Sequence, residues 1–321
     1  MTGPVIALSG GVGGAKLALG LSRIVDPADA LTIVANTGDD FEHLGLYVSP
    51  DVDTLMYTLA GVANPETGWG REGETWGFLG ALRELGGEDW FRLGDRDLAV
   101  HVERTRRLAR GESLSEVTAR LCAALRVGAR VVPMSDEPVR TIMQTTEGDL
   151  GFQHYFVERR CEPRIVGVRY EGVERAKAAR GLSAALGDPA LGGVVVCPSN
   201  PFVSVDPILA LDGVAERMRA LEAPVVAVSP IVGEDAVKGP AAKMMRELGL
   251  SPSAFSVARH YTARGLLDGF VIDRADASLA PAIERLGART LVTDIVMRSI
   301  GDRVRLATEV LAFIETIRGE S

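Results

Sequence analysis

Short apolar runs alternate along this chain with longer stretches that carry apolar residues at helical spacing. The runs are Val5 to Leu8, Leu31 to Ala35, Val131 to Met134, Ile165 to Val168, Val194 to Cys197, Val225 to Val228, Phe270 to Ile272 and Thr290 to Val292. Little polar alternation interrupts them, so each reads as a strand buried on both faces, as in a parallel sheet covered by helices. This βαβ pattern predicts an α/β protein with a Rossmann-like, doubly wound and mostly parallel sheet.

Between about residues 54 and 125 the pattern changes to Trp- and Gly-rich loops followed by helices. Ser113-Leu-Ser-Glu116 has the spacing of a capping box and starts the helix carrying Val117, Leu121 and Leu125. The stretch reads as a helical insertion in one domain spanning residues 1–321. Val173 to about Leu186, rich in Ala, Lys, Arg and Glu, predicts a surface helix ahead of the Val194 strand. No repeat, low-complexity tract or Pro-rich linker marks a boundary.

Composition narrows the function classes. With 46% hydrophobic residues in 321, the chain can bury a large core, and 36 glycines beside 5% aromatics point to an aliphatic interior with tight loops. A net charge of −8 leaves no basic surface for nucleic acid, so an anionic ligand has to be held locally. Cys122, Cys161 and Cys197 are far apart and form no CxxC pair, which fits a reducing cytoplasm better than a zinc site or disulfide framework. The first residues show no secretory pattern and no run of about 18 apolar residues follows, so no membrane partner is expected and the mature protein is expected to begin near Met1.

The first strand leads into Ser9-Gly10-Gly11-Val12-Gly13-Gly14-Ala15-Lys16. Glycines at the carboxyl end of a first strand let backbone N–H groups approach a phosphate, aimed by the following helix N-terminus. A tight turn without a ligand is the plainer alternative. Lys16 stands where a dinucleotide site wants a third glycine, no GK[ST] follows, and the second strand ends in Asn36-Thr37-Gly38 rather than a ribose-binding acid, so a nicotinamide dehydrogenase is disfavoured.

Asp39 and Asp40 follow that second strand, and Asp51 and Asp53 come shortly after. Four aspartates so close in sequence repel one another unless a cation sits among them or they spread into water. A Mg²⁺ site near the glycine loop and plain loop-capping aspartates both remain open readings. On an extended segment Asp51 and Asp53 would face the same way and address one ligand. His43, lying between the two pairs, reads as a surface residue.

Taken together, Gly10-Gly-Val-Gly-Gly-Ala-Lys16, Asn36-Thr-Gly-Asp-Asp40, Ser49-Pro-Asp-Val-Asp-Thr54 and Leu93-Gly-Asp-Arg-Asp-Leu98 resemble the 2-phospho-L-lactate transferase family. Met134-Ser-Asp-Glu-Pro138, Pro198-Ser-Asn-Pro201, Val228-Ser-Pro-Ile231 and Gly239-Pro-Ala-Ala-Lys243 extend the likeness, in the same order, to at least residue 245. Val12 departs from the pattern, since some members carry Thr there. The resemblance implies a Mg²⁺-dependent enzyme that moves a phospho-acid unit (2-phospho-L-lactate, phosphoenolpyruvate or 3-phosphoglycerate) from a guanosine-diphosphate-linked donor to the ribityl hydroxyl of the deazaflavin Fo. GMP leaves and F420-0 or its dehydro form results. A related nucleotide-sugar-binding regulatory protein without transferase activity is the competing reading.

On that resemblance the backbone of Gly10, Gly11, Gly13 and Gly14 would cradle the diphosphate, with Asn36, Thr37, Ser135, Asp136, Ser199 and Asn200 as further ligand-binding residues. Asp39, Asp40 and Asp53 are the expected metal ligands. Asp51 would orient or deprotonate the acceptor hydroxyl. Arg96 would grip a phosphate or carboxylate, unless it only pairs with Asp95 or Asp97. Trp69, Trp76, Trp90 and Phe91 could wall the deazaflavin or simply pack a helical core. A homodimer is the default assembly.

Overall fold

A computed structural model of the chain describes residues 3–236 and 239–320. The first half opens with β1 (Val5–Ser9), α1 (Gly11–Ser22), β2 (Leu31–Ala35), the hairpin β3 (Phe41–His43) and β4 (Leu46–Val48), and α2 (Pro50–Ala60). Then come α3 (Gly77–Glu84), α4 (Asp95–Leu108), α5 (Leu114–Ala124), β5 (Arg130–Pro133), β6 (Arg140–Thr145), β7 (Gly148–Gly151) and β8 (Ile165–Glu171). The second half continues with α6 (Arg180–Leu186), β9 (Gly193–Val196), α7 (Asp206–Leu209), α8 (Val214–Arg219), β10 (Val225–Val228), β11 (Ile231–Val232) and β12 (Asp235–Ala236). It ends with α9 (Ala241–Glu247), α10 (Ala254–Thr262), β13 (Gly269–Asp273), α11 (Ala280–Glu284), β14 (Arg289–Thr293) and α12 (Ile300–Glu320).

Seven strands form one sheet in the order β14-β13-β10-β9-β1-β2-β5, and each pairing is parallel. This is the doubly wound α/β sheet that the apolar runs predict. Because side chains alternate across a strand, Ile6 and Leu8 enter one core with Val194 and Val196, while Val5 and Ala7 enter the other with Val195 and Val226. Helices cover both faces. From β1 the order runs outward to β2 and β5 on one side and to β9 and β10 on the other, so the winding reverses between β1 and β9, where open α/β sheets place their ligands.

Two expectations need correction. The run at Ile165 to Val168 is not in the parallel sheet; β8 pairs antiparallel with β6 in a separate three-stranded sheet, and Val166 is 61% exposed. A short apolar run does not reveal which sheet it joins. The surface helix over residues 173–186 is confined to Arg180–Leu186. α2 begins at Pro50, since Pro at the first helical position presets φ; it packs against α1 and lies beside the glycine turn. The capping box forms as expected, with Ser113 Oγ accepting from the Glu116 N–H at 3.2 Å and Glu116 Oε2 accepting from the Ser113 N–H at 2.9 Å.

Candidate active site

Where β1 ends, the chain turns through Gly10 and Gly11 into α1, opposite Pro198 to Asn200 after β9. Gly11 adopts φ 62°, a left-handed value that glycine takes without strain. A Cβ on Gly13 would lie 2.5 Å from the Pro198 carbonyl oxygen, so the two loops can approach this closely only with glycine there. Ser199 Oγ latches them, accepting from the Gly10 N–H at 3.1 Å and donating to its carbonyl at 2.9 Å. The N-cap residue, Gly10, has no side chain to cap α1, so beyond the Gly11 N–H, which Asp51 takes, the first turn of the helix faces a cavity of about 550 Å³. Gly10, Gly11, Gly13, Ser199 and Asn200 line that cavity; Gly14 does not, and sits against Ser9 and Ser199 instead.

Acidic residues converge on the same place. Asp51 Oδ1 accepts from the Gly11 N–H at 2.7 Å and Oδ2 from Asn36 Nδ2 at 2.9 Å. Burial nevertheless pushes the Asp51 carboxyl up to about 6, against the lowering effect of those two donors. Asp39 is buried, its Oδ1 has no hydrogen-bond partner, and burial together with the charges of Asp51 and Asp40 holds its carboxyl well above the usual range. Asp40 stands behind them, accepting from Tyr47 Oη at 2.9 Å and Ser49 Oγ at 2.8 Å. Burial raises it to about 7, opposed by the charge of Arg140 and by those hydroxyls.

Asp53 departs from expectation. The segment Asp51-Val-Asp53 is the first turn of α2 rather than an extended strand, and two helical residues are about 200° apart around the axis. Asp51 therefore meets the glycine turn while Asp53 meets α4, where the fully buried Arg104 guanidinium holds both of its carboxylate oxygens. His101 and Asp97, also on α4, complete the group with Tyr57, whose hydroxyl donates to Asp97 Oδ1 at 2.6 Å. Asp53, Tyr57, Asp97 and His101 line the cavity.

Aromatic walls come from two regions. Trp69, Trp90 and Phe91 arrive from the inserted segment, and Phe152 and Phe156 from the short helical turn after β7, stacked at 5.4 Å. Trp90 and His154 join the two walls, with ring centroids 4.6 Å apart. Trp76 lies outside this lining, 38% exposed beneath Arg92. His43 is buried among Phe41, Trp90 and Phe91 rather than on the surface.

The family model described as 2-phospho-L-lactate transferase CofD matches residues 5–307. This chain belongs to the 2-phospho-L-lactate transferase family. It is 40% identical to a phosphoenolpyruvate transferase of Streptomyces griseus over 98% of this chain and 99% of that one. It is 40% identical to the 2-phospho-L-lactate transferase of Methanothermobacter thermautotrophicus (97% and 98% covered) and 37% identical to that of Methanosarcina acetivorans (98% and 100%). A crystal structure of a Bacillus halodurans protein superposes with a TM-score of 0.64 at 15% identity, covering 97% of this chain and all of that one, which speaks for the fold alone.

In this member of the transferase family, several expected residues lie elsewhere. Arg96 is exposed at the start of α4, outside the cavity lining, with its guanidinium on the Glu72 carbonyl. Ser135 and Asp136 are absent from the lining as well: the Ser135 hydroxyl donates to Glu137, and Asp136 accepts from the Ser115 N–H at the start of α5. Their segment follows β5, an edge strand remote in sheet order from the winding reversal. Asn36 acts through Asp51 rather than lining the cavity, and Thr37 is buried with its hydroxyl unpartnered. Asn200 lines the cavity, although its side-chain oxygen already accepts from the Phe202 N–H. Tyr57, Asp97 and His101 line the cavity and Arg104 stands behind them, although the sequence alone did not single them out. The spacing of Asp97, His101 and Arg104 along one helix face was a signal, but on paper it equals an ordinary solvated stripe.

Proposed function

We propose that this transferase couples a phospho-acid, 2-phospho-L-lactate or phosphoenolpyruvate in type, to the ribityl hydroxyl of Fo, drawing it from a guanosine-diphosphate-linked donor and releasing GMP in F420 biosynthesis. The observation that carries the reading is convergence: the glycine turn, the buried Asp39 and Asp51 and two aromatic walls share one cavity at the reversal of the sheet. The first turn of α1 beyond Gly11 suits a diphosphate, and apolar walls suit a flat tricyclic ring.

The donor set fits a divalent cation. Asp39 has an unpartnered buried oxygen beside a second carboxylate, an arrangement that a nearby positive charge relieves. Magnesium commonly uses one or two carboxylates plus substrate phosphates, so Asp39 would hold it, and bound Mg²⁺ would draw charge from the phosphate oxygens. Asp53 is not a fitting ligand, because Arg104 already neutralises it. Asp40 does not line the cavity and acts from behind Asp39.

The chain's own residues then account for the transfer. The N–H groups of Val12 and Gly13, in the first turn of α1 beyond the donors that Ser199 and Asp51 occupy, position the diphosphate. The acceptor oxygen attacks the phosphorus that carries the acid, the bond from that phosphorus to the oxygen bridging to GMP breaks, and the hydroxyl proton passes late to Asp51. The Gly11 N–H and the Asn36 amide hold Asp51 in place for this.

Mass spectrometry of reactions containing Fo, Mg²⁺ and each guanylylated acid in turn tests the proposal. A deazaflavin product heavier by one phospho-acid unit, together with GMP, is expected with at least one donor. No coupling with any of them removes the reading.

A further inference from the structure

The Asp53–Arg104–His101–Asp97–Tyr57 group has no role in the steps above, yet four of its members line the cavity. Its hydrogen-bond logic is unusually constrained. Arg104 Nη1 lies 3.2 Å from His101 Nδ1, and a guanidinium can only donate. Nδ1 must therefore accept, which places the single proton of the neutral ring on Nε2. The nearest alternative partner for Nδ1, Asp53 Oδ2, is 3.6 Å away and too far to compete. Nε2 is buried and has no hydrogen-bond partner, and it sits 3.4 Å from Asp97 Oδ1. A buried donor left unmet is costly, so a ligand atom that accepts there is favoured.

Position along α2 supplies the rest. Asp51 marks the glycine turn, Asp53 follows, and Tyr57 comes one turn later, so the stretch covers about 9 Å at the rise of an α-helix. Beyond Tyr57, the Arg71 guanidinium lies 5.7 Å over its ring, next to the Trp69 segment. The Asp97–His101 pair is thus placed between the diphosphate turn and one aromatic wall.

We infer that Asp97 and His101 form an acceptor and donor pair for neighbouring hydroxyls of the acceptor's polyol chain, with Arg104 as the positioning residue that sets the His101 tautomer. This deepens the Fo reading and rests on it. A hydroxyl both donates and accepts, so one can give its hydrogen to Asp97 while the next takes the Nε2–H of His101. His101 is a donor and takes no proton from the attacking hydroxyl, because its one lone pair already faces Arg104.

The test is fluorescence titration of Fo, and of a deazaflavin carrying methyl in place of the ribityl chain, against the unchanged protein, His101→Gln and His101→Leu. Gln keeps an N–H donor; Leu has none. His101→Leu is expected to weaken Fo about tenfold, and His101→Gln to bind within about threefold of the unchanged protein, while the methyl compound binds all three alike. Equal weakening of both ligands, or Fo binding untouched in His101→Leu, overturns the inference. So does a collapse of turnover with loss of the acidic limb, which would make His101 the proton acceptor. If the unchanged protein ignores Fo altogether, the functional reading falls and the inference falls with it.

Discussion

Two aspartates in the first turn of α2 sit only two residues apart and in opposite electrostatic surroundings. Asp51 joins Asp39 and Asp40 in a buried group in which three carboxylates face hydroxyls, an amide, one backbone N–H and, at Asp40, the charge of Arg140, and whose members are nevertheless held above the usual carboxylate range, chiefly by burial. Asp53 joins a group that carries its own cation, Arg104, at full burial. The first group is built to gain from an incoming positive charge and the second is not. Spacing along a sequence cannot tell these apart; the helix turns one carboxylate toward the glycine turn and the other toward α4.

The sharpest way to break this contrast is Asp51→Asn. If Asp51 receives the proton and braces the glycine turn, turnover measured with saturating substrates falls by about a thousandfold, while the thermal melt stays at or above that of the unchanged protein because a penalised buried charge is gone. Activity within tenfold would remove Asp51 from the chemistry.

Asp53→Asn should fail in the other direction. It leaves the Arg104 charge buried and uncompensated, a loss of about 3–5 kcal/mol of stability read from denaturant unfolding. Pairing it with Arg104→Gln should return part of that loss, because the stranded charge is then removed. A singly substituted protein as stable as the unchanged one would mean that the ion pair does not form.

A smaller effect concerns pH. The Asp40 carboxyl moves from 3.8 to about 7 on folding, so between those values the folded chain keeps a proton that the unfolded chain releases. Stability therefore falls as pH rises through this window, with no penalty below it and the full penalty above. Asp40→Asn is expected to melt several degrees higher than the unchanged protein at pH 8, an advantage that vanishes by pH 4. An advantage that grew toward acid would reverse the sign and refute the assignment. The smallest expected shift is a rise in melting temperature of a few degrees on adding Mg²⁺ at pH 8, absent in Asp39→Asn.

Much of the frame was legible because it rests on local, repeating signals. Apolar runs without polar alternation mark strands buried on both sides, and all but one of them occupy the parallel sheet. The glycine turn was legible because glycine takes the left-handed Gly11 conformation without strain and only glycine permits the close approach at Gly13. The site was legible in part. Met134-Ser-Asp-Glu-Pro138 and Leu93-Gly-Asp-Arg-Asp-Leu98 suggested ligand contacts at Ser135, Asp136 and Arg96, but these groups serve turns, helix starts and loop carbonyls. His101 and Arg104 gave no comparable cue, since a buried charge on a helix and a solvated one look identical in sequence.

By itself, then, the sequence determined the strands of the parallel sheet, the turn that ends the first of them and the family to which the chain belongs, because each depends on periodicity, glycine geometry or an ordered set of motifs. Only the tertiary structure decided which aspartates face a cavity, which already holds a cation, and which side chains of the inserted helices join the site. Charge state and neighbourhood depend on burial and on partners tens of residues away, and no local pattern encodes either.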